Sequence, residues 1–321
     1  MKAMVYDRYG PPDVLELRDV DEPELTDDCV LVRVRASSVN PYDWHMVTGV
    51  PYLARTSAGL RKPKTGLLGV DFAGVVEAVG KDVAHVGPGD EVFGARNGAF
   101  AEYVCVRKAV VRKPANLTFE EAAAVPLAAT TALQALRDKG GLEAGQRVLV
   151  HGASGGVGTF AVQLAKAYGA EVTGVCRTGN VELVRSLGAD HVVDYTREDF
   201  VANGRRYDLI VDIAGTRSWA ECKRVLTDDG NLVFVGGPKT SRVTGNFGRR
   251  ARVALTSKTG SKRAHLFLAN TNREDMEVLQ ALLADGKLTP AIDRRYELAE
   301  VPEALRYVGA GHARAKVVIT V

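Results

Sequence analysis

The chain has 321 residues, of which 46% are hydrophobic and 25% charged, and a formal net charge of +3. That length suggests two domains with separate cores, and the composition is that of an ordinary globular protein, with nothing that by itself calls for a nucleic-acid or membrane partner. The opening residues, Met1 to Gly10, contain no apolar run of signal-peptide length, so a cytoplasmic protein is expected. Cys29, Cys105, Cys176 and Cys222 stand far apart, none at metal or redox-motif spacing, and read as four reduced thiols.

Residues 1 to about 120 read as short strands broken by turn residues, among them Val30–Arg35, Phe72–Val79 and Ala101–Val106, with Gly87-Pro-Gly-Asp90 as one of the turns. Such punctuation predicts a mostly β domain with barrel-like curvature. From about Phe119 the texture changes. Helices are predicted at 120–124 and 129–136, followed by strands and helices in strict alternation: a strand at 148–151, a helix after Gly156, a strand at 171–176, a helix at 181–187, strands at 191–193 and 208–213, a helix at 219–226 and a strand at 231–235. Alternation of this kind predicts parallel βαβ units in a doubly wound sheet, so the expected fold class is α/β. The tail from about Thr271 holds a helix through Leu283 and ends in the strand Lys316–Val321, whose character resembles the first domain. The expected domains are therefore 1–121, 122–269, and a return segment 270–321 that completes the first.

The stretch Arg147-Val-Leu-Val-His-Gly-Ala-Ser-Gly-Gly-Val-Gly158 runs an apolar strand into a glycine cluster that opens a helix. Glycine there permits a tight turn and close approach of the main chain to an anion, and the free N–H groups of the helix start stabilise its charge. The helix carries Val157, Phe160, Ala161, Leu164, Ala165 and Tyr168 at three- and four-residue steps, with Gly169 where it should end. With its strand and its helix, this is a dinucleotide fingerprint, and Gly155, Gly156 and Val157 are expected at the pyrophosphate. NAD-dependent forms place a carboxylate at the end of the second strand, about 20 residues past the glycines, to bind the ribose hydroxyls. Here the strand ends Val175-Cys176-Arg177-Thr178. A guanidinium suits a 2′-phosphate, so NADPH is expected, with Arg177 and Asn180 as its partners.

With these residues in hand, the chain resembles the zinc-independent quinone oxidoreductase branch, which includes zeta-crystallin, of the medium-chain dehydrogenase/reductase superfamily. The markers run the full length: Met1-Lys-Ala-Met4, Asn40-Pro-Tyr-Asp43, Gly69-Val-Asp-Phe-Ala-Gly-Val-Val76 with Gly80, Gly87-Pro-Gly-Asp-Glu-Val92, Phe100-Ala-Glu-Tyr103 and Ala153-Ser-Gly-Gly-Val-Gly158. The resemblance implies a GroES-like catalytic domain built from both chain ends, a Rossmann domain inserted in it, an active site in the cleft, and a homodimer joined by Rossmann edge strands near 265–270. It also implies that Asn40 lies near the nicotinamide ribose and substrate, with Tyr52 or His45 at the reducible oxygen. On the cofactor side it implies Thr130 at the nicotinamide, Tyr195 at the adenosine, and the loop Val235-Gly236-Gly237 facing the cofactor. For Tyr195 ordinary helix–sheet packing is the competing reading. Asp43 reads as a turn or cap carboxylate, and Trp44 as core.

Zinc alcohol dehydrogenases of the superfamily carry a cysteine and a Gly-His-Glu motif where this chain has Asn40 and Gly69-Val70-Asp71, so no metal is expected. The expected reaction is hydride transfer from NADPH to a small quinone or enone, an acceptor that needs no metal polarisation. Two alternatives stand beside it: a zinc-independent alcohol or aldehyde dehydrogenase-like reductase, and a non-catalytic NADPH-binding protein. Arg55, Arg61, Lys62 and Lys64 suggest that the stretch from Pro51 to Gly66 is mobile. The segment 238–263 holds eight basic residues and no acidic one, but with few aromatics interleaved it does not support base stacking, and nucleic-acid binding is not expected.

Overall fold

The computed structural model describes residues 1–237, 261–311 and 313–321. Most of the basic segment 238–263 therefore lies outside the described residues. In chain order the first elements are β1 (Lys2–Val5), β2 (Glu16–Asp19), β3 (Val30–Val39), α1 (Pro41–Thr48), α2 (Arg55–Ala58), β4 (Asp71–Val79), β5 (Glu91–Ala95), β6 (Tyr103–Val106), β7 (Val110–Arg112), α3 (Phe119–Ala123) and α4 (Pro126–Gln134). There follow β8 (Arg147–His151), α5 (Gly156–Ala167), β9 (Glu171–Cys176), α6 (Val181–Ser186), β10 (His191–Asp194), β11 (Tyr207–Asp212), α7 (Trp219–Val225), β12 (Leu226–Phe234) and β13 (Arg263–Leu266). The chain closes with α8 (Arg273–Ala284), β14 (Ile292–Glu297), α9 (Val301–Gly309) and β15 (Lys316–Thr320).

Two compact units result, one of Met1–Thr130 with Thr271–Val321 and one of Thr131–Asn270. The first cut falls at Thr130 rather than at 121. The reason is that α3 packs on β3 and β4 and the start of α4 is tied to Asp71, so the helical texture begins before the first unit ends.

In the first unit the sheet order is β14-β15-β3-β4-β5-β7, with β6 also paired to β3. The last strand of the chain, β15, lies antiparallel to β3, Val317 opposite Val39. This pairing is how the C-terminus completes the N-terminal unit. Alternation in β3 buries Val30, Val32 and Val34 against Phe72, Val76, Val92 and Val106, and a second cluster packs Tyr6, Val39, Val47, Phe100, Leu305 and Ile319. Trp44 packs on that second cluster and closes against Gly309 of α9, where an added Cβ would come within 2.3 Å of the indole nitrogen.

Cys29 and Cys105 are joined as a disulfide, with Cα atoms 5.9 Å apart. This corrects the reading of four reduced thiols. Sequence spacing hides the pair, because only the antiparallel pairing of β6 with β3 makes neighbours of residues that distant. Cys176 and Cys222 are buried and not part of that disulfide.

The second unit is a parallel sheet in the order β10-β9-β8-β11-β12-β13. The order reverses between β8 and β11, and in such sheets ligands bind beyond the carboxyl ends of the strands at the switch point. Those ends are His151 and Asp212, which face each other in register. No helix among the described residues is long and apolar enough to cross a membrane.

Candidate active site

The dinucleotide loop is built by two glycines that no other residue replaces without strain. Gly152 adopts φ +96°, and a Cβ on Gly158 would meet the Gly152 carbonyl oxygen at 2.1 Å, so α5 docks on the turn at backbone contact. Gly155 is the N-cap of α5 in extended conformation, and a Cβ there would make an ordinary contact with the Gly152 carbonyl oxygen at 3.6 Å. The N–H groups of Gly156 and Val157 stand in the first helical turn, where α-helical donors lack intrahelical partners. Free donors at a helix start favour an anion.

Beside the loop, the Arg177 side chain makes no hydrogen bond or ion pair among the described residues, while the adjacent Thr178 hydroxyl is taken by Asp194. Tyr195 pairs its backbone N–H with the Cys176 carbonyl at 3.0 Å and leaves its ring 58% exposed. Helix–sheet packing therefore does not account for Tyr195. Asn180 is buried, and its Nδ2 donates to Ser154 Oγ at 2.8 Å, which ties the turn after β9 to the glycine loop. The structure thus puts Asn180 beneath the loop rather than on its outer surface.

One acidic residue near Arg177 escapes inspection of the second strand, since it comes from the third. Asp194 at the end of β10 lies level with Cys176 and accepts from Thr178 Oγ1 at 2.6 Å and from the Thr196 N–H and hydroxyl. The Thr178 hydroxyl leads the effects that hold the Asp194 carboxyl below its usual range. Both of its oxygens are thereby occupied by local donors.

At the switch point, His151 Nδ1 lies 2.8 Å from Asp212 Oδ1, and the Gly215 N–H donates to the same oxygen at 2.7 Å. Thr216 Oγ1 stands 3.2 Å from His151 Nε2. Val235 and Gly236 donate backbone N–H groups to the Asp212 carbonyl, so the loop Val235–Gly237 is fixed over the end of β11. His151 and Asp212 were not singled out in the sequence. A histidine closing strand β8 directly before the glycines was the available signal.

In the first unit the substrate-side candidates do not form one cluster. Asn40 is buried and wholly engaged: its Oδ1 accepts from Lys316 Nζ at 2.7 Å, and its Nδ2 donates to Asp71 Oδ2 at 2.9 Å and to the Ser38 carbonyl at 3.3 Å. Asp71 Oδ2 also accepts from Ser38 Oγ at 2.8 Å and Lys316 Nζ at 3.3 Å, while its Oδ1 accepts from the Leu127 N–H of α4 at 2.9 Å. Asp43 accepts from the Asn40 N–H at 2.8 Å, as a helix-start carboxylate does. Burial pushes its carboxyl up to about 7, with the Asp71 charge adding to the rise and the Asn40 and Gly69 N–H groups and Lys316 opposing it.

His45 points its Nδ1 at the Val50 carbonyl, 2.6 Å away, and so braces the Val50–Pro51 turn. Tyr52 is 44% exposed, and its hydroxyl has no partner among the described residues. The Arg55 guanidinium lies between two rings, 4.4 Å from the Tyr9 centroid and 4.5 Å from that of Tyr52, with Nε donating to the Gly49 carbonyl at 2.8 Å. The basic character of 51–66 was expected to mean mobility. Arg55 instead pins the turn, because a guanidinium stacks on aromatic faces as well as pairing with anions. Thr130 is buried, its hydroxyl facing the Met276 sulfur at 4.0 Å.

Comparison with known proteins agrees with this architecture along the whole chain. Residues 26–115 match the alcohol dehydrogenase GroES-like domain, and residues 187–319 match a domain described as zinc-binding dehydrogenase. A 2-methylene-furan-3-one reductase of Solanum lycopersicum is 36% identical over 335 residues, covering 99% of this chain and 79% of the relative. The chloroplastic quinone-oxidoreductase QR1 of Triphysaria versicolor is 33% identical, covering 99% and 98%. The chain belongs to the quinone oxidoreductase-type medium-chain dehydrogenases/reductases. Among solved structures, the Escherichia coli quinone oxidoreductase complexed with NADPH superposes with a TM-score of 0.84 at 25% identity, covering 100% of both chains.

Such a chain is an oxidoreductase with a GroES-like domain and a Rossmann-like parallel sheet. The word zinc in the description of one matching domain does not carry over to these residues. Zinc wants thiolate, imidazole or carboxylate donors converging at short range. At the two places where zinc-dependent members hold ligands, this chain offers the neutral amide of Asn40 and the hydrocarbon of Val70, and the neighbouring Asp71 carboxylate already pairs with a buried ammonium that also bonds Asn40.

Proposed function

We propose that the protein transfers hydride from NADPH to quinones or other conjugated carbonyl compounds, without zinc. The observation that carries the coenzyme choice is Arg177, uncommitted among the described residues, at the end of the strand where NAD-dependent members hold a carboxylate and one residue past the carbonyl that takes the Tyr195 N–H. The bound coenzyme supplies the hydride, and the protein supplies binding, orientation and exclusion of water. Gly155, Gly156 and Val157 hold the pyrophosphate, Arg177 the 2′-phosphate and Tyr195 the adenosine. Asn180 supports the loop through Ser154. Val235–Gly237 and Thr130 line the nicotinamide side.

On the substrate side, the Tyr52 phenol is the free hydroxyl of the set and serves as donor to the reducible oxygen. His45 and Asn40 act by fixing backbone and neighbours. The relatives' names support the acceptor class: one is named for an enone, another for quinones.

NADPH oxidation followed with 1,4-benzoquinone, an enone and a simple aldehyde tests the reading. Turnover with the first two and little with the third is expected, whereas binding without turnover of any acceptor would leave a coenzyme-binding protein. Arg177→Ala should lower kcat/KM for NADPH by roughly tenfold to a hundredfold and leave NADH unchanged, as loss of one charge-assisted contact predicts. A native preference for NADH would refute the coenzyme assignment.

A homodimer and a cytoplasmic location are part of the same proposal. Strand β13 is the edge of its sheet among the described residues, and Leu268 just beyond it is 84% exposed. One relative is named as chloroplastic, so cell fractionation is the check on location.

A further inference from the structure

A buried cation in the first unit is not used by the reaction as proposed above. Lys316 is the first residue of β15, and its side chain is 3% exposed. Its ammonium reaches Asn40 Oδ1 at 2.7 Å and Asp71 Oδ2 at 3.3 Å, and Asn40 and Asp71 are joined to each other at 2.9 Å. Asp71 opens β4, Asn40 precedes α1, and the second oxygen of Asp71 holds the Leu127 N–H near the start of α4. Residues 40, 71, 127 and 316 are thus linked through one positive charge and the carboxylate it pairs with.

We propose that Lys316 is a positioning residue, the chain's own cation at the place where zinc-dependent members of the family hold a metal. A dication is disfavoured beside a resident ammonium that already pairs with Asp71, while the other nearby carboxyl, Asp43, is taken up by the Asn40 N–H. The ammonium fixes which way the Asn40 amide points. An amide accepting from Lys316 through Oδ1 must turn Nδ2 toward Asp71 and the Ser38 carbonyl, and no flipped orientation satisfies all three partners. Through Asn40 and Asp71 the same charge sets the starts of α1, which leads to the His45 and Tyr52 turn, and of α4, which carries Thr130. The functional part of this inference rests on the hydride-transfer reading above. The electrostatic part does not.

The test compares Lys316→Met with the double variant Asp71→Asn/Lys316→Met. Methionine matches the length of the lysine stem and strands the buried Asp71 carboxylate, so the single variant should lose roughly 5 to 15 °C in Tm. The double variant removes both charges together and should regain most of that loss.

Positioning predicts that the double variant, once folded, binds NADPH by fluorescence with Kd within about twofold of wild type yet turns over 1,4-benzoquinone at least about tenfold more slowly in kcat. Recovery of kcat along with Tm would reduce Lys316 to a structural role and overturn the inference. If the single variant fails to fold, the double variant alone still decides.

Equilibrium dialysis of the wild type against zinc gives a readout that needs no turnover. Wild type should take up less than about a tenth of an equivalent under conditions that load a zinc-dependent member. Stoichiometric uptake abolished by Asp71→Asn would overturn the resident-cation assignment. Failure of wild type to oxidise NADPH at all would count against the hydride-transfer reading while leaving the dialysis and Tm arms standing.

Discussion

Asp43 shows how a single buried carboxyl links local geometry to pH. Its folded pKa stands at about 7, raised chiefly by burial, from an ordinary value of 3.8. Between those values the folded protein holds a proton that the unfolded chain releases, so this group's contribution to stability is fully present below about pH 4 and is lost as pH rises to about 7. Asp43→Asn keeps an acceptor for the Asn40 N–H and cannot ionise. Its Tm relative to wild type should therefore climb from pH 4 to pH 7 and level off above, with a total gain of about 2 to 4 kcal/mol in stability by denaturant titration. A Tm difference flat across that range would contradict the raised pKa.

Arg55 belongs to the same scale. Stacked on Tyr52 and Tyr9, it holds the turn that presents the free phenol, so Arg55→Ala should raise KM for quinone severalfold and leave NADPH affinity unchanged, in line with a cation–π contact of about 0.5 to 2 kcal/mol. Steady-state kinetics at fixed saturating NADPH is the measurement.

Helix α5 was legible to within two residues. The apolar positions fall at helical spacing, and its end near Gly169 follows from a left-handed glycine, φ +81°. Its docking was less legible. The glycines of this loop look equivalent in the sequence, but Gly152 and Gly158 are sterically required whereas Gly155 has room for a side chain. Gly158→Ala should push α5 off the turn, weakening NADPH binding by at least about tenfold and costing about 1 to 3 kcal/mol from overpacking. Gly155→Ala should leave the fold intact, a contrast that thermal melts and coenzyme titration would expose.

The N-terminal part of β12 was missed. Strand was expected from Asn231, yet it starts at Leu226, since Asp228, Asp229 and Gly230 look like a turn and are accommodated by a register shift against β11.

At the scale of the whole molecule, the return of the tail to the first unit was expected from strand character and is realised by the β15–β3 pairing. If β13 and the exposed Leu268 form the dimer edge, Leu268→Lys should shift light scattering from dimer toward monomer mass without lowering the Tm of the monomer by more than about 2 °C, since the residue touches little within its own chain. A wild type that scatters as a monomer at high concentration would dismiss that edge.

What the sequence by itself determined was the α/β alternation of the second unit, the glycine turn before α5 and the arginine after β9, because each depends on residues close together along the chain. The Cys29–Cys105 link, the His151–Asp212 pair, the Asp194 carboxylate held by Thr178, and the Asn40–Asp71–Lys316 cluster were decided only by tertiary structure. In each of them strand pairing or packing brings together side chains that no local pattern relates, and burial then sets their charge and their partners.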